Sequence, residues 1–413
     1  MKADVTVVGA GPAGSTVATL LARGGFHVAL LDRRTFPRPK PCGDCLSPNA
    51  TRLLDRLGML DAVLAAKPAR LAGWRIISPG GHSFETRFDE ISGDPSIGSA
   101  LAISRSRLDA VLLDGARDAG ADVRTGIRIT GLLPGGTGVV GTRADGGTVE
   151  LRSRLTIGAD GLRSVIARRA GFIRRPARLR KVSLTAHLAG FAPADRFGEM
   201  HVADGLCAGI APVTVGSSVA CNVTVVADAT RYGRAVAADA RAFFLSALAR
   251  FPALDRRILD LAEIGAGDLL ASGPFDVPVR RVIAPGLALV GDAAGYYDPF
   301  TGQGINHAIE GAFLLAGEAS DALRHDARRQ PVLQSYPRKL TAAVRGQRAV
   351  QGMIEFVLSR AGLADRMIAR LAGRPVAARA LIAVTGDIAP ALSVLSPAVL
   401  LALAGPAVRE GSA

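Results

Sequence analysis

The sequence predicts an α/β protein: a discontinuous doubly wound domain, a β-sheet domain inserted into it, and a helical C-terminal tail. Three observations lead there. The first 32 residues read as strand, glycine-rich turn, helix and a second strand ending in an acid. Two further strand-to-turn junctions, Gly158-Ala159-Asp160-Gly161 and Gly291-Asp292-Ala293-Ala294-Gly295, recur in the middle and late chain, with β-rich stretches between them. From Val350 onward the apolar residues return at helical spacing.

Taken in order, Val5 to Val8 form a β-branched strand that runs into Gly9-Ala10-Gly11-Pro12-Ala13-Gly14, a G-x-G-x-x-G turn. A helix is expected over Ser15 to Arg23, a break at Gly24-Gly25, and a second strand over His27 to Leu31 that stops at Asp32. Gly9 allows the tight turn, Gly11 leaves room for a pyrophosphate, and Gly14 lets the helix pack on the sheet. The helix N-terminus offers free N–H groups to phosphates, and Asp32 is placed to accept from a ribose. This is a Rossmann-like, dinucleotide-binding unit, and the turn alone does not choose between NAD and FAD. Prolines hold 36–48 as a loop. A helix follows over Asn49 to Leu57, then strands over 71–88 with a Gly80-Gly81 hairpin turn. Ser104 is expected to cap a helix through Ala119, and 121–157 alternate as strands. The stretch 182–226 is β-rich, 235–250 helical, Leu287 to Val290 a strand, and a helix runs from near Gly302 to Leu323.

These segments imply cofactor-domain pieces at 1–72, 100–180 and 276–330, substrate-domain pieces at 73–99 and 181–275, and a helical region at 331–413. The tail is apolar and uncharged from Ala389 to Ala404. That run is shorter than a membrane span and interrupted by Pro390 and Pro397. It reads either as helices docked over the core or as a patch for peripheral membrane contact.

Hydrophobic residues make up 49% of the 413 and charged residues 21%, so the chain is globular and large enough for more than one lobe. The formal charge is +14, and all but five of the 50 basic residues are arginine. This reflects either a G+C-rich genome or attraction to an anionic partner such as a nicotinamide phosphate, an acyl-carrier protein or a membrane surface. Aromatics are 5% and no basic patch is interleaved with stacking rings, which argues against nucleic acid. Four cysteines, Cys42, Cys45, Cys207 and Cys221, make no disulfide framework. The first strand starts almost at Met1 with no signal peptide before it, so a cytoplasmic protein is expected, with membrane association as an addition. Oligomeric state is open.

Together, the three turns resemble the FAD fingerprints of the para-hydroxybenzoate hydroxylase fold, over roughly residues 1–325. That resemblance implies FAD. It implies that Asp292 holds the ribityl chain, that Asp160 and Gly161 sit near the pyrophosphate, and that Arg33 follows the ribose acid. It also implies that Arg105 reaches the cofactor from a helix start, with Arg107 as the competing assignment. Asp298-Pro299-Phe300-Thr301-Gly302-Gln303-Gly304-Ile305-Asn306 resembles the segment beside the isoalloxazine ring, where Pro299, Gly302, Gly304 and Ile305 would approach the ring and the helix N-terminus would stabilise negative charge.

The loop Lys40-Pro41-Cys42-Gly43-Asp44 resembles that of the geranylgeranyl reductase-like branch. Cys42 and Gly43 are expected at the flavin, and Cys42 is the one candidate for a catalytic side chain. Cys42-Gly43-Asp44-Cys45 is also a C-x-x-C. A redox pair remains open, whereas no metal site is expected, because Cys207 and Cys221 are too far apart to complete a zinc set. One departure is that the Trp and Phe positions of the prenyl reductases' motif are Gly209 and Ala211. Halogenases are disfavoured because Trp74 is the only tryptophan.

The leading expectation is therefore an FAD-dependent monooxygenase that uses NAD(P)H and oxygen to hydroxylate an apolar aromatic or polyketide-type small molecule, with NAD(P)H binding only transiently. The alternatives are a geranylgeranyl reductase-like enzyme acting on double bonds of an isoprenoid or quinone, and a flavin-binding protein without turnover. His187, His201 and Asp204 lie near the substrate sheet and are expected to be structural or surface residues.

Overall fold

The computed structural model describes residues 2–92, 100–173, 180–188, 195–215, 218–255, 268–296, 299, 302–325 and 333–404. Lys2–Val8 is the inner strand of an eight-stranded sheet. It pairs in parallel with Val28–Leu31 on one side and Thr148–Gly158 on the other. Leu287–Leu289 continues the parallel order beyond Thr148–Gly158, and Asp122–Arg124 continues it beyond Val28–Leu31. Ile127–Leu132 and Gly138–Arg143 fold back antiparallel.

The period-2 alternation of these strands splits the core in two. Val5, Val7, Val28, Leu30, Leu155 and Ile157 face helices Pro12–Arg23 and Gly304–His325. Val8, Ala29, Leu31, Leu151 and Leu289 pack on the opposite face with Ile166 and Phe172.

A second sheet has seven strands in the order Leu270–Ser272, Lys181–Leu188, Ser218–Asp228, Leu206–Val215, Phe197–Ala203, Gly73–Ile77, Ser83–Arg87. Leu184, Ala186, Val223 and Val225 bury one face under helices Ala229–Ala238 and Ala240–Leu248. The Phe84 edge is covered by Ala361–Ala372 and Pro375–Thr385, through Ile368, Leu371 and Ile382. A small antiparallel sheet of Cys45–Leu46, Ala100–Ala102 and Ala69–Leu71 also forms, so the proline loop ends in a strand.

Several expected elements change at their ends. The first helix starts at Pro12, which fits position N1 because it needs no N–H there. Ser104 sits at the N-cap of Arg105–Asp118, but its hydroxyl pairs with Ser106 Oγ at 3.1 Å and makes no cap bond. The expected helix over 235–250 is two helices, because Asp239 breaks out of the first and caps the second by accepting from the N–H groups of Arg241 and Ala242. The tail pattern likewise divides into Tyr336–Leu358 and Ala361–Ala372, followed by a 3₁₀ turn Ala391–Leu395 and a helix Pro397–Ala404.

Candidate active site

Strand Lys2–Val8 delivers the chain into Gly9 at φ 101°. A Cβ on Gly9 would stand 2.4 Å from the Ala159 carbonyl oxygen, and one on Gly14 only 1.7 Å from the Gly9 carbonyl oxygen. At these two glycines the turn is closed by backbone against backbone. Asp32 braces it: Oδ2 accepts from the Ala10 N–H at 2.8 Å, and Oδ1 accepts from the Arg34 N–H at 2.8 Å. Each oxygen keeps a lone pair for a ribose hydroxyl. Arg33 is exposed and lies outside the cavity lining.

Gly11 is different. A Cβ there would meet no protein atom nearer than Arg105 Nη2 and Arg38 Nη2, both 3.8 Å away, so it is the space in front of the helix that requires a glycine. Helix Pro12–Arg23 begins without a side-chain cap, and its first N–H groups face that space. Arg38 Nη2 lies 3.3 Å from Asp109 and 3.9 Å from Asp32, while its Nε is buried with no hydrogen-bond partner. Arg105 is clamped by Asp109 through bonds of 2.7 and 2.8 Å. Burial opposes its charge, and the Asp109 carboxylate overrides this and raises its pKa. Lys40 lies 3.9 Å from Asp292, and burial together with Arg105 lowers its pKa. A helix N-terminus, three cations and an orphaned guanidinium nitrogen fit the pyrophosphate of FAD.

The same cavity is lined by Pro12, Ala13, Cys42, Gly43, Gly161, Asp292, Pro299, Gly302, Gly304 and Ile305, so most of the expected cofactor residues converge. Residues 298, 300 and 301 of the expected ring segment lie outside the described residues. Gly291 stands behind the lining at φ 62°, where a Cβ would be 2.8 Å from that of Ala13. Asp160 has another duty. Its carboxylate accepts from Ser164 Oγ at 2.5 Å and from the N–H groups of Val165 and Ile166 at 2.6 and 3.2 Å, and so caps helix Val165–Arg169 away from the cavity. Arg107 points to the Ala66 carbonyl oxygen at 3.0 Å, which leaves the cavity position to Arg105.

The Cys42 loop is held by side chains far away in sequence. Asp44 is buried at φ 56°. Its Oδ1 accepts from the Arg105 N–H at 3.2 Å, and its Oδ2 accepts from Asn222 Nδ2 at 2.8 Å and lies 2.5 Å from His187 Nε2. Asn222 also donates to the Cys42 carbonyl oxygen at 2.7 Å. Burial pushes the Cys42 thiol up against the pull of Arg105, so Sγ keeps its proton, and Cys45 is pushed further in the same direction.

Across the cavity, Gly209 and Ala211 form the sheet-side wall, and a Cβ on Gly209 would meet nothing within 4 Å. Aromatic surface comes instead from Trp74, Phe275 and Tyr296, and the Trp74 ring lies so close over Gly198 that a Cβ there would stand 2.2 Å from it. His201 is buried against Glu199 at 2.8 Å, and Asp204 pairs with Arg231 at the surface. Both are removed from the site.

Residues 2–196 match the FAD binding domain family. Over 350 residues the chain is 32% identical to digeranylgeranylglycerophospholipid reductase 1 of Methanococcoides burtonii, covering 81% of this chain and 79% of that one. The chain belongs to the geranylgeranyl reductase-like branch of the FAD-dependent oxidoreductases. This oxidoreductase is also 30% identical to the menaquinone reductase of Mycolicibacterium smegmatis, covering 76% of each chain. The myxobacterial chondrochloren halogenase CndH superposes with a TM-score of 0.77 at 22% identity over 87% of this chain and 83% of that one, a likeness of fold alone.

Sequence reasoning missed Arg38, Asp44, Asn222 and Trp74 as site-building residues. Arg38 left a local signal, as a basic residue fixed between Pro37 and Pro39 just after the ribose acid, and Asp44 closed the Lys40–Asp44 motif without being given a role. Asp44 and Asn222 meet across 178 residues, beyond any spacing rule.

Proposed function

We propose that this oxidoreductase saturates carbon–carbon double bonds in the isoprenoid tail of a lipid or quinone, with NAD(P)H as the transient donor that reduces bound FAD. The observation that carries this reading is a second, apolar groove that shares Trp74 and Met200 with the flavin cavity. Ile76 and Phe84 line it from the sheet edge, and Val357, Leu358, Met367, Ile368, Leu371 and Ile382 line it from the C-terminal helices. An extended hydrocarbon seated there gains roughly 0.8 kcal/mol for each methylene removed from water, and its end would lie against Trp74 and Met200, the residues the groove shares with the cavity. The lipid and menaquinone reductases among its relatives favour the same substrate class.

FAD, when bound, would supply the hydride, and saturation also takes one proton, which the Cys42 thiol beside Arg105 would give. Arg38, Lys40, Arg105 and the N-terminus of Pro12–Arg23 would hold the pyrophosphate, and Asp292 the ribityl chain. The N-terminus of Gly304–His325 would favour negative charge at the ring. Gly209 and Ala211 leave room in the sheet-side wall for a flat double bond.

A second reading, hydroxylation of an aromatic ring, is favoured by the open space at Gly209, which admits a ring as readily as a chain. Mass spectrometry of product separates the two. With NADPH and a geranylgeranyl lipid or menaquinone under anaerobic conditions, a gain of two hydrogens per double bond is expected. Product only in air, heavier by one oxygen, would replace the reductase with the hydroxylase.

A further inference from the structure

The large apolar side chains that are exposed among the described residues are Met353, Phe356, Val376, Leu392, Leu395, Leu400 and Leu401, and every one lies in the C-terminal helical layer. The rest of the described surface has none, so they are not ordinary scatter. Helix Pro397–Ala404 carries no charge. It buries Val399 and turns Leu400 and Leu401 outward, the latter 72% exposed.

The charges of this layer are sorted. Over 353–401 the acids are Glu355, Asp365 and Asp387, and none is exposed. Glu355 pairs with Lys181 of the substrate sheet. Asp365 accepts from Ser78 Oγ at 2.6 Å and from the Gly80 N–H at 2.8 Å. Asp387 accepts from Ser47 Oγ at 3.1 Å and from Gln303. Four of the five arginines face the other way: Arg360, Arg366, Arg370 and Arg379 are exposed, and only Arg374 is buried. Arg360 lies 3.9 Å over the ring of exposed Phe356, which places cation and apolar surface side by side.

We propose that the C-terminal helical layer docks on an anionic lipid bilayer, with the leucines in the acyl boundary and the arginines at the headgroups. Charge selects this occupant, because a second copy of the chain would set these arginines against its own. Met353 is both 47% exposed and part of the groove lining, so the groove opens on the docking face. A tail would then enter from the bilayer, a consequence that rests on the isoprenoid reading, whereas the docking itself does not.

The test is flotation of the full-length FAD-bound protein with vesicles of phosphatidylcholine alone and of phosphatidylcholine mixed with phosphatidylglycerol. Strong binding is expected only to the mixed vesicles, falling as salt rises. Leu400→Ser with Leu401→Ser should weaken it roughly a hundredfold. Arg366→Gln with Arg379→Gln should weaken it roughly thirtyfold. This second pair is fully on the surface and decides the matter if the leucine variant misfolds. The flavin spectrum should be unchanged in both.

Absence of flotation, or flotation indifferent to both pairs, would overturn the proposal. So would a concentration-dependent dimer in light scattering that the leucine substitutions abolish. Saturated product from detergent-dispersed substrate without vesicle binding would sink the docking and spare the reductase. Vesicle binding without product would do the reverse.

Discussion

The glycine turn and the Cys42 loop flank one cavity, and they are held in opposite ways. In the turn, the Ala10 N–H meets Asp32 across 22 residues, and the remaining fit is backbone against backbone at Gly9 and Gly14. In the loop, Asp44 is met by His187 and Asn222 from 143 and 178 residues away. The turn therefore needs small residues where backbone meets backbone, while the loop needs a buried polar network drawn from distant strands. The first fails by steric clash, the second by unsatisfied groups.

The largest effect should follow from forcing a side chain into the turn. Gly14→Val sets a branched carbon against a carbonyl that cannot move without opening the first helix. A loss above about 4 kcal/mol is expected, with little soluble, flavin-bearing protein recovered. Normal yield and colour would show that the turn tolerates what its geometry forbids.

Next comes Asp44→Ala, which leaves one N–H of Asn222 Nδ2 and the Arg105 backbone N–H without their acceptor and should cost about 3 kcal/mol in chemical denaturation. Asp44→Asn keeps an acceptor for Asn222 and should recover about half. A faster alkylation of Cys42 at unchanged flavin absorbance would mark a loosened loop, and unchanged alkylation in the alanine variant would show that the network does not hold the thiol.

The smallest effect extends the comparison to the tail. Asp387 ties the C-terminal layer to Ser47, just past the Cys42 loop, and burial pushes its carboxyl up to about 7 from an ordinary 3.8. A carboxyl whose pKa is raised on folding favours the folded state at low pH, and that contribution is lost as pH rises through about 7. Stability should fall by about 1 kcal/mol between pH 6 and pH 8 from this group, and Asp387→Asn should remove that slope. A slope that survives the substitution would assign it to another group.

What was legible in the sequence follows the same division. Gly11, Gly14 and Asp32 were readable because each answers a requirement met within one strand–helix–strand unit, and Gly9 because a tight turn asks for glycine, although the carbonyl it packs against is that of Ala159. Asp292 was readable because a strand-to-glycine junction repeats that logic, and Gly304 only through the family resemblance of its segment. Asp160 shows the ambiguity of such junctions: an aspartate after a strand caps a following helix as readily as it meets a cofactor, and here Ser164 and the N–H groups of Val165 and Ile166 take it. Trp74 carried no signal, since it sits two strands away in the sheet from the wall it completes. The substrate-sheet polar residues were missed because Asn222 alternates with apolar neighbours like any half-buried strand residue. Asp239 was missed because apolar spacing continues across the break it makes.

The order of the large sheet also has a consequence for synthesis at the ribosome. The carbonyl that Gly9 packs against belongs to Ala159, and the strand beyond that one is Leu287–Leu289. Strand Lys2–Val8 meets Val28–Leu31 soon after it is made, whereas its other neighbour, Thr148–Gly158, is translated much later. Until then the glycine turn lacks the wall that its tightest backbone contact requires.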